Sequence, residues 1–453
     1  MSILIKNGIL LTMDQDDKIL REGSVFVEDD RIIDVGNSKD LIKKYKAEEV
    51  IDAKWKIVMP GLINAHCHTI HDLLRGLGTD MVVTKRLPNV IWPTMSKLTG
   101  EDVYSATLLG CIGAIRTGCT QLIDNYYYRT RDKNANIDRV GEAFEKAGIR
   151  AGLWRGYSNR IGIMKPPEIF NETEEEIMAE YLRIVKKWHN KAEQRIKVLL
   201  GPGGLLSTTQ ETLLKVHDLA EKYSCYIQTH AAEESTEPRA FIKLYGKRCV
   251  EFLYDLGVLG PNLMIIHSIW LTDKELDLLS RTDTRVVHCP TANMFNTQGV
   301  APVPAMLKRG ISVALGTDIY QDMFSTIRCA TYIHKVHNLD PFAMTAKCAL
   351  RMATIDGAKA IGQEKEVGSL EVGKKADIIT INYKNPHLIP MHNPIPSIVY
   401  CANGNNVDNV IVDGRVIMRN SIITSISECE VLQKAQEVGE KIVGKAALNV
   451  RPS

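Results

Sequence analysis

The sequence predicts an α/β fold: a (β/α)8 TIM barrel with a small β-sandwich domain built from both chain ends. Between about residues 57 and 361, short β-rich runs alternate with helical segments of roughly ten to twenty residues. Before and after this region, short apolar runs alternate with turn residues, which is typical of antiparallel strands. The same alternation in the middle of the chain is also compatible with a doubly wound sheet that does not close into a barrel.

The two chain ends supply the predicted sandwich. The early strands are predicted at residues 3–12, 24–28 and 31–35, and the late ones in KADIITIN, SIVYCANG and NVIVDGRVIM. A terminal segment, EVLQKAQEVGEKIVGKAALN, has the apolar spacing of an amphipathic helix. We therefore divide the chain into an N-terminal part of the sandwich, a barrel, and a C-terminal part with the terminal helix. Their limits are 1–56, 57–364 and 365–453.

The barrel prediction depends on eight β-rich runs. In chain order these are IVMPGLINAHCH, TQLID, RAGLWRG, IKVLLGPG, YIQTHAAE, LMIIHS, RVVHCP and VALGTD. Segments between them, such as EDVYSATLLGCIGAIRTG and ETLLKVHDLAEKYS, carry apolar residues at helical spacing. No glycine fingerprint for a dinucleotide or triphosphate follows the first run, which weakens the open-sheet alternative.

Composition excludes several classes of partner. The 453 residues include 56 Lys and Arg and 54 Asp and Glu. The formal charge of +2 therefore provides no strong electrostatic attraction to nucleic acid or lipid. No stretch approaches the ~20 apolar residues of a membrane span, and the N-terminal residues lack the features of a signal peptide. The ten cysteines form no CxxC pair or regular framework, which is typical of reduced thiols. We expect a cytoplasmic protein whose partner is a small molecule, with no nucleic-acid or membrane partner.

Polar residues at the ends of the predicted strands point to catalysis. The carboxyl ends of barrel strands converge on one mouth. The first run ends in His66 and His68, whose side chains can face the mouth together because alternate residues share a face. The fifth, sixth and eighth runs end in His230, His267 and Asp318. A single histidine there is usually a packed or rim residue, but their joint occurrence matches the ligands of a catalytic Zn²⁺ or a similar divalent metal.

Longer motifs identify a family resemblance over essentially the whole chain. They are PGLINAHCH, THAAE, HCPTANMF, GVAPVPAMLKRGISVALGTD, RMATIDGAKAIG and GSLEVGKKADI. In combination they resemble the amidohydrolase superfamily, in the branch of cytosine, guanine and adenosine-derivative deaminases and triazine hydrolases. The resemblance implies roles for six residues: His66, His68, His230 and Asp318 as metal ligands, His267 in water activation or substrate polarisation, and Glu233 as the acid/base, with Asp318 also able to share the proton of the water.

The resemblance also implies one metal ion per chain. Binuclear members place a carboxylated lysine or a glutamate at the end of the fourth strand, whereas this strand reads IKVLLGPGG. Zinc is the first expectation from three histidines and an aspartate, and Fe²⁺ accepts much the same ligands. The resemblance to this family also implies a homo-oligomer.

The expected reaction is hydrolytic deamination of an amino-substituted N-heterocycle of the purine, pterin, pyrimidine or triazine type. The alternative is hydrolytic displacement of chloride or an alkylamine from an s-triazine-like ring. Cyclic-amide hydrolysis is disfavoured because those members are usually binuclear. A non-catalytic scaffold is disfavoured because every metal ligand is retained.

Four residues are candidates for lining the substrate pocket. Arg155 in LWRG matches a substrate-binding arginine of methylthioadenosine/S-adenosylhomocysteine deaminases. His288 in HCP either lines the site or anchors its loop, and Trp92 either stacks on a flat ring or packs in the core. His71, one turn after the metal pair, either orients a loop or touches the substrate.

Two positions depart from the pattern of those adenosyl deaminases. Met95 in IWPTM stands where they carry a ribose-binding glutamate, and Gly203 stands where they carry a histidine. Gln321 and Asp322 occupy the neighbourhood where the family commonly has a Ser-Asn pair. Without a carboxylate the ribose hydroxyls lack an acceptor, so we expect adenosyl compounds to be poorer substrates than free bases, pterins or aminotriazines.

Overall fold

Two β-sheets and the helices around them make up the fold. The computed structural model describes residues 1–130, 132–133, 136–160 and 166–446. The first part of the chain forms β1 (Ser2–Leu11), β2 (Ile19–Glu28), β3 (Arg31–Asn37), β4 (Glu49–Asp52) and β5 (Lys56–Pro60). The middle forms β6 (Leu62–Cys67), β7 (Cys119–Tyr126), β8 (Arg150–Arg155), β9 (Ile196–Leu200), β10 (Tyr226–Ala231), β11 (Leu263–His267), β12 (Arg285–His288) and β13 (Val313–Leu315). The last part forms β14 (Ile378–Asn382), β15 (Val407–Val412), β16 (Arg415–Arg419) and β17 (Ile422–Ile423).

Helices connect and cover these strands. They are α1 (Ser38–Lys44), α2 (Val83–Arg86), α3 (Trp92–Met95), α4 (Gly100–Arg116), α5 (Ile137–Ala147), α6 (Glu174–Trp188), α7 (Gln210–Tyr223), α8 (Glu237–Tyr245), α9 (Cys249–Asp255), α10 (Asp273–Arg281), α11 (Pro290–Phe295), α12 (Val303–Lys308), α13 (Met323–Asn338), α14 (Ala346–Met352), α15 (Ile355–Ala360), α16 (Pro394–Tyr400) and α17 (Glu428–Lys445). Within the described residues, no helix is long and apolar enough to cross a membrane.

The middle strands form the predicted parallel barrel. Strands β6 to β13 pair in chain order, each parallel to the next. The two ends of this sheet meet beyond β13, where the Asp318 N–H donates to His66 O and the His68 N–H donates to Asp318 O, both at 3.0 Å. This closure confirms the barrel and excludes the open-sheet alternative.

The terminal strands form one mixed sheet from both chain ends. Its order is β17-β16-β15-β14-β5-β1-β2-β3, with β4 beside β1. Strand β14 runs antiparallel to β5, so the C-terminal part of the chain is joined directly to the N-terminal part. The prediction was a small β-sandwich built from both chain ends, and the structure confirms that both ends contribute strands to one unit, which is a single mixed sheet. The exact limits of the predicted domains stay a prediction.

Two details of the strand predictions are wrong. SIVYCANG was predicted as a strand, but Ser397–Tyr400 belong to α16, where Pro394 begins the helix with a backbone φ that suits its first turn. The run 57–68 is two strands, β5 in the terminal sheet and β6 in the barrel. Gly61 separates them at a close approach, because a Cβ there would lie 2.1 Å from the side chain of Thr120.

The terminal helix packs as its amphipathic pattern predicts. Val431, Ala435, Val438 and Ile442 of α17 are buried at helical spacing. Lys441 on the same helix forms an ion pair with Asp102 of α4 at 3.0 Å. Residues 447–449 of the predicted helix lie outside the described residues.

Candidate active site

Four side chains from three strand ends converge at the mouth of the barrel. His66 and His68 come from the end of β6, His230 from β10 and Asp318 from the residues after β13. Their ligand atoms all lie within 4.8 Å of one another. Asp318 Oδ1 is 3.3 Å from the Nε2 atoms of His66 and His68, and His230 Nε2 is 3.2 Å from His66 Nε2. We call these four residues the ligand cluster.

Backbone carbonyls orient two of the imidazoles. His68 Nδ1 lies 3.0 Å from Asn125 O, and His230 Nδ1 contacts Gly203 O. Because a carbonyl can only accept, each Nδ1 carries the proton and each Nε2 presents a lone pair to the cluster. Converging imidazole lone pairs and a carboxylate oxygen are the donor set of a divalent transition metal. The residues of the cluster therefore fit a bound metal ion.

The charge states of three of the four cluster residues also suit a cation, whereas the hydrogen bond to Asp318 raises the pKa of His68 against the effect of its burial. Burial lowers the pKa of His66 to about 4 and holds the pKa of His230 well below its usual value. Burial opposes ionisation of Asp318, but hydrogen bonds to His66 and His68 keep its pKa well below the usual range. Near neutral pH the cluster thus contains neutral His66 and His230 and an ionised Asp318, which are the metal-binding forms.

Unusual backbone geometry supports the placement of these residues. Asp318 has a φ of +60° and His267 a φ of +69°, in the left-handed region that residues other than glycine rarely adopt. Gly316 lets β13 approach β6 closely, since a Cβ there would lie 2.9 Å from both Cβ and O of His66. Such outliers are common at functional sites, where the surrounding structure holds them in place.

A carboxylate and a histidine lie beside the ligand cluster. Glu233 Oε1 is 3.6 Å from His267 Nε2. His267 Nδ1 is 2.8 Å from Asn293 Oδ1, so it donates its proton there and leaves Nε2 as an acceptor. Gln298 Nε2 donates to Glu233 Oε1 at 2.5 Å and to Glu234 Oε1 at 3.1 Å. The arrangement gives an oriented carboxylate and an oriented imidazole acceptor next to a metal-binding cluster.

A cavity of about 240 Å³ opens above the cluster. One part of its wall is aromatic and aliphatic and another part carries the carboxyl groups of Glu233, Glu234 and Glu237. Burial raises the pKa of Glu237 to about 8. The lining residues are His68, His71, Val83, Thr84, Arg86, Leu87, Ile91, Trp92, Tyr127, Tyr157, Ser158, Pro166, Phe170, Gly203, Gly204, Leu205, Leu206, Ser207, His230, Glu233, Glu234, Thr236, Glu237, Asn296, Asp318 and Ile319.

Of the four candidates for the substrate pocket, Trp92 and His71 line this cavity. Arg155 is buried in a two-point ion pair with Glu172, with both N–O distances 2.6 Å. His288 Nε2 lies 3.1 Å from His334 Nε2. Neither Arg155 nor His288 is among the described residues that line the cavity, and their role in substrate binding stays a prediction.

The structure also gives contacts for the other residues that the sequence singled out. His71 lines the cavity and its ring stacks on His68 with centroids 4.6 Å apart. Asp322 caps α13 by accepting from the Ser325 N–H at 3.0 Å. Gln321 Oε1 accepts from Asn64 Nδ2 at 3.1 Å.

Met95, where the resemblance to adenosyl deaminases implies a ribose-binding glutamate, is fully buried and outside the described lining of the cavity. Gly203 lines the cavity and supplies the carbonyl that orients His230.

The sequence did not reveal several residues of the site. Gln298 lies between two of the quoted motifs, but no spacing rule connects it with Glu233, 65 residues earlier. Arg86 lies in a stretch without a motif, although it lines the cavity. Glu234 and Glu237 follow Glu233 closely, and an acidic segment of this kind reads equally well as a solvated helix start.

Comparisons with known proteins agree with this geometry. A model described as "Amidohydrolase family" matches residues 57–417. A 5'-deoxyadenosine deaminase of Methanosarcina acetivorans is 37% identical over 450 residues, covering 98% of this chain and 99% of that protein. A 5-methylthioadenosine/S-adenosylhomocysteine deaminase of Thermoanaerobacter pseudethanolicus is 37% identical over 452 residues, covering 98% and 100%. The crystal structure of an adenosine deaminase from Xanthomonas campestris has the same fold, with a TM-score of 0.91, 24% identity and 98% coverage of both chains.

Proposed function

The chain belongs to the amidohydrolase family, and from that premise we propose that it is a metal-dependent aminohydrolase that removes ammonia from an amino-substituted N-heterocycle. The observation that carries the proposal is the pair Glu233 and His267, 3.6 Å apart and beside the ligand cluster. An acid/base carboxylate next to a metal-binding cluster is what hydrolysis of a C–NH₂ bond needs. We further propose a cytoplasmic homo-oligomer whose substrate is a small heterocycle.

The proposed cofactor is one divalent metal ion per chain. His66, His68, His230 and Asp318 would hold it, with zinc as our first choice and Fe²⁺ as the alternative for the same donor set. When bound, such an ion supplies Lewis acidity, which lowers the pKa of water toward neutrality.

Glu233 performs the proton transfers in the proposed reaction. Its carboxylate takes a proton from the attacking water and passes it to the ring nitrogen beside the amino carbon. The oxygen of the water bonds to that carbon as a hydroxyl group. Glu233 then transfers the proton of this hydroxyl to the amino nitrogen, so that the C–N bond breaks, ammonia leaves and a carbonyl remains on the ring. Gln298 holds the reactive oxygen of Glu233, and His267 Nε2 accepts a hydrogen bond from the water because Asn293 fixes its tautomer.

The names of the relatives suggest adenine nucleosides as substrates. Two relatives at 37% identity are named for 5'-deoxyadenosine and for methylthioadenosine and S-adenosylhomocysteine. The absence of a carboxylate at Met95 argues for weaker recognition of ribose, which favours free bases, pterins or aminotriazines. We propose an adenine-type ring as the first substrate to test, since it agrees both with the names of the relatives and with a preference for free bases. Displacement of chloride or an alkylamine from a triazine would use the same residues and stays the alternative.

Ammonia release from metal-loaded protein tests the proposal. The panel contains 5'-deoxyadenosine, methylthioadenosine, S-adenosylhomocysteine, adenine, guanine, cytosine, pterin and melamine, with atrazine as the chloride-releasing member. We expect at least one amino-heterocycle to release ammonia. Glu233→Gln should lower kcat by ~10² or more because an amide of the same size cannot accept the proton. The matched control is Glu234→Gln, the neighbouring carboxylate that also contacts Gln298, which should lose far less activity. Chloride release without ammonia from any member, or near-normal turnover by Glu233→Gln, would contradict the proposal.

A further inference from the structure

Arg86 is a buried guanidinium in the wall of the cavity. It ends α2 and is 2% exposed, although it lines the cavity above the ligand cluster. An arginine is normally buried only when a carboxylate or several acceptors satisfy its charge and its five N–H donors. The surroundings of Arg86 do not provide this.

Within the described residues, no ion pair joins Arg86 to a carboxylate, and its Nε and Nη2 atoms have no hydrogen-bond partner. The ring of Phe295 lies under the guanidinium at 5.0 Å. This contact covers one face of the group, but the donors point outward in its plane and stay unused. A charge that is removed from water without an anion is costly, so the site is complete only when an anion is present.

The three cavity glutamates do not supply that anion. Glu233 and Glu234 are held by Gln298, and Glu237 accepts from the Glu233 N–H at 2.8 Å. Arg86 instead lies within electrostatic reach of His71 and Tyr128. The cavity therefore has a carboxylate region and a separate cationic region.

We infer that Arg86 binds a carboxylate of the substrate, so that the heterocycles this protein deaminates carry an anionic group as well as the amino group. The inference rests on the proposed function and narrows its substrate class. The free Nε and Nη2 atoms form one edge of the planar guanidinium, and such an edge matches a carboxylate through two parallel hydrogen bonds. The carboxylate is either a substituent of the ring or stands at the 5' position of a nucleoside.

Binding measurements with matched ligand pairs separate these two sources. Cytosine and 5-carboxycytosine test a carboxylate on the ring, and 5'-deoxyadenosine and adenosine-5'-carboxylate test one on the nucleoside. Calorimetry on the metal-loaded Glu233→Gln protein, in which turnover is suppressed, gives the dissociation constants. We expect the carboxylate member of at least one pair to bind ~10-fold or more tightly than its neutral partner.

Substitution of Arg86 then tests its role in this preference. When Arg86→Met is combined with Glu233→Gln, the carboxylate ligand of that pair should bind no more tightly than its neutral partner, so the affinity ratio falls to about one or below. The neutral partner should bind as before. The control is Lys85→Met, which removes the same charge from an exposed neighbour and should leave the ratio unchanged. Arg86→Gln keeps some donors and gives a second test if the Met variant does not fold.

Two results would overturn the inference. One is that neither carboxylate ligand binds more tightly than its neutral partner before Arg86 is changed. The other is that a folded Arg86 variant keeps the same affinity ratio. Both results are independent of the proposed function. If the protein releases ammonia but Arg86 does not affect the ratio of dissociation constants, only the inference is wrong. If Arg86 affects this ratio but no ligand releases ammonia, only the proposed function is wrong.

Discussion

Gln298 and Glu233 are joined by a hydrogen bond of 2.5 Å from the side-chain amide to Oε1. Gln298 is buried, and its backbone carbonyl accepts from Trp270 Nε1 at 3.0 Å, so its position is set by the fold. Its amide group therefore fixes where the Glu233 carboxylate points. Gln298 is a positioning residue in this view.

Replacing Gln298 should reduce catalysis without loss of metal. Gln298→Leu keeps the approximate size but removes the donor, so Glu233 samples other rotamers and kcat falls by about 10-fold, with a smaller change in KM. Steady-state kinetics together with metal analysis measure this. A change confined to KM, or a loss of metal, would show that Gln298 acts on something other than the orientation of Glu233.

Metal content should depend on individual members of the ligand cluster. We expect about one divalent ion per chain, and sharply lower occupancy in His66→Ala or Asp318→Ala, because each change removes a bond and the geometry of the site. Inductively coupled plasma mass spectrometry measures the content. His217→Ala, which changes a histidine of α7 outside the cluster, should keep full occupancy. Two tightly held ions per chain, or full occupancy in both cluster variants, would refute the ligand assignment.

The sequence predicted the barrel and the convergence of its polar strand ends because parallel strands place their carboxyl ends at one mouth. That rule brings His66, His230 and Asp318 together although they are far apart in the chain. No such rule selects the partner of a side chain in a loop. Arg155 pairs with Glu172 and Gln298 with Glu233, and these contacts depend on the paths of loops, which local patterns do not encode.

Buried Asp72 should make stability fall as pH rises toward neutrality. Burial raises the pKa of Asp72 to about 7, although Arg75 lies 3.1 Å away and opposes the shift. An unfolded aspartate has a pKa of about 3.9. Between these values the folded state holds a proton that the unfolded state has lost, so the free energy of unfolding falls by at most about 1.4 kcal/mol per pH unit.

Asp72→Asn isolates this contribution. Urea unfolding of both proteins at pH 4.5, 5.5, 6.5 and 7.5 should show the variant gaining stability relative to the unmodified chain as pH rises, since the amide has no proton to lose. Asp218→Asn, at a side chain that is 81% exposed, is the control and should show no such trend. A difference that stays constant over this range would mean that Asp72 is not protonated in the folded protein.

Arg150 links the barrel to the terminal sheet through buried charges. Its Nε and Nη2 atoms lie 2.9 Å from the two carboxylate oxygens of Asp377, and Nη2 lies 3.0 Å from Asp413 Oδ1. Arg150→Met leaves the buried carboxylate of Asp377 without its ion pair, whereas Asp413 keeps Lys375 at 3.2 Å, so we expect a loss of about 3–5 kcal/mol in the free energy of unfolding. Arg183, whose side chain is 40% exposed, forms an ion pair with Asp138, and Arg183→Met should lower the free energy of unfolding by about 1 kcal/mol or less. Similar losses in both variants would show that the Arg150 network adds little.

Recognition of the ribose diol should be weak in this protein. Met95 occupies the position where the resemblance to adenosyl deaminases implies a ribose-binding glutamate, and it is fully buried away from the described cavity wall. A site built around a diol acceptor loses ~10²-fold or more when the hydroxyls are removed, because its polar group is left unpaired. We therefore expect kcat/KM for adenosine and for 2',3'-dideoxyadenosine to differ by less than about 10-fold. Adenine, measured beside them, shows whether the sugar contributes at all. A loss of ~10²-fold or more on removal of the diol would mean that another group binds it, and Glu234 and Glu237 are the carboxylates in the cavity that could do so.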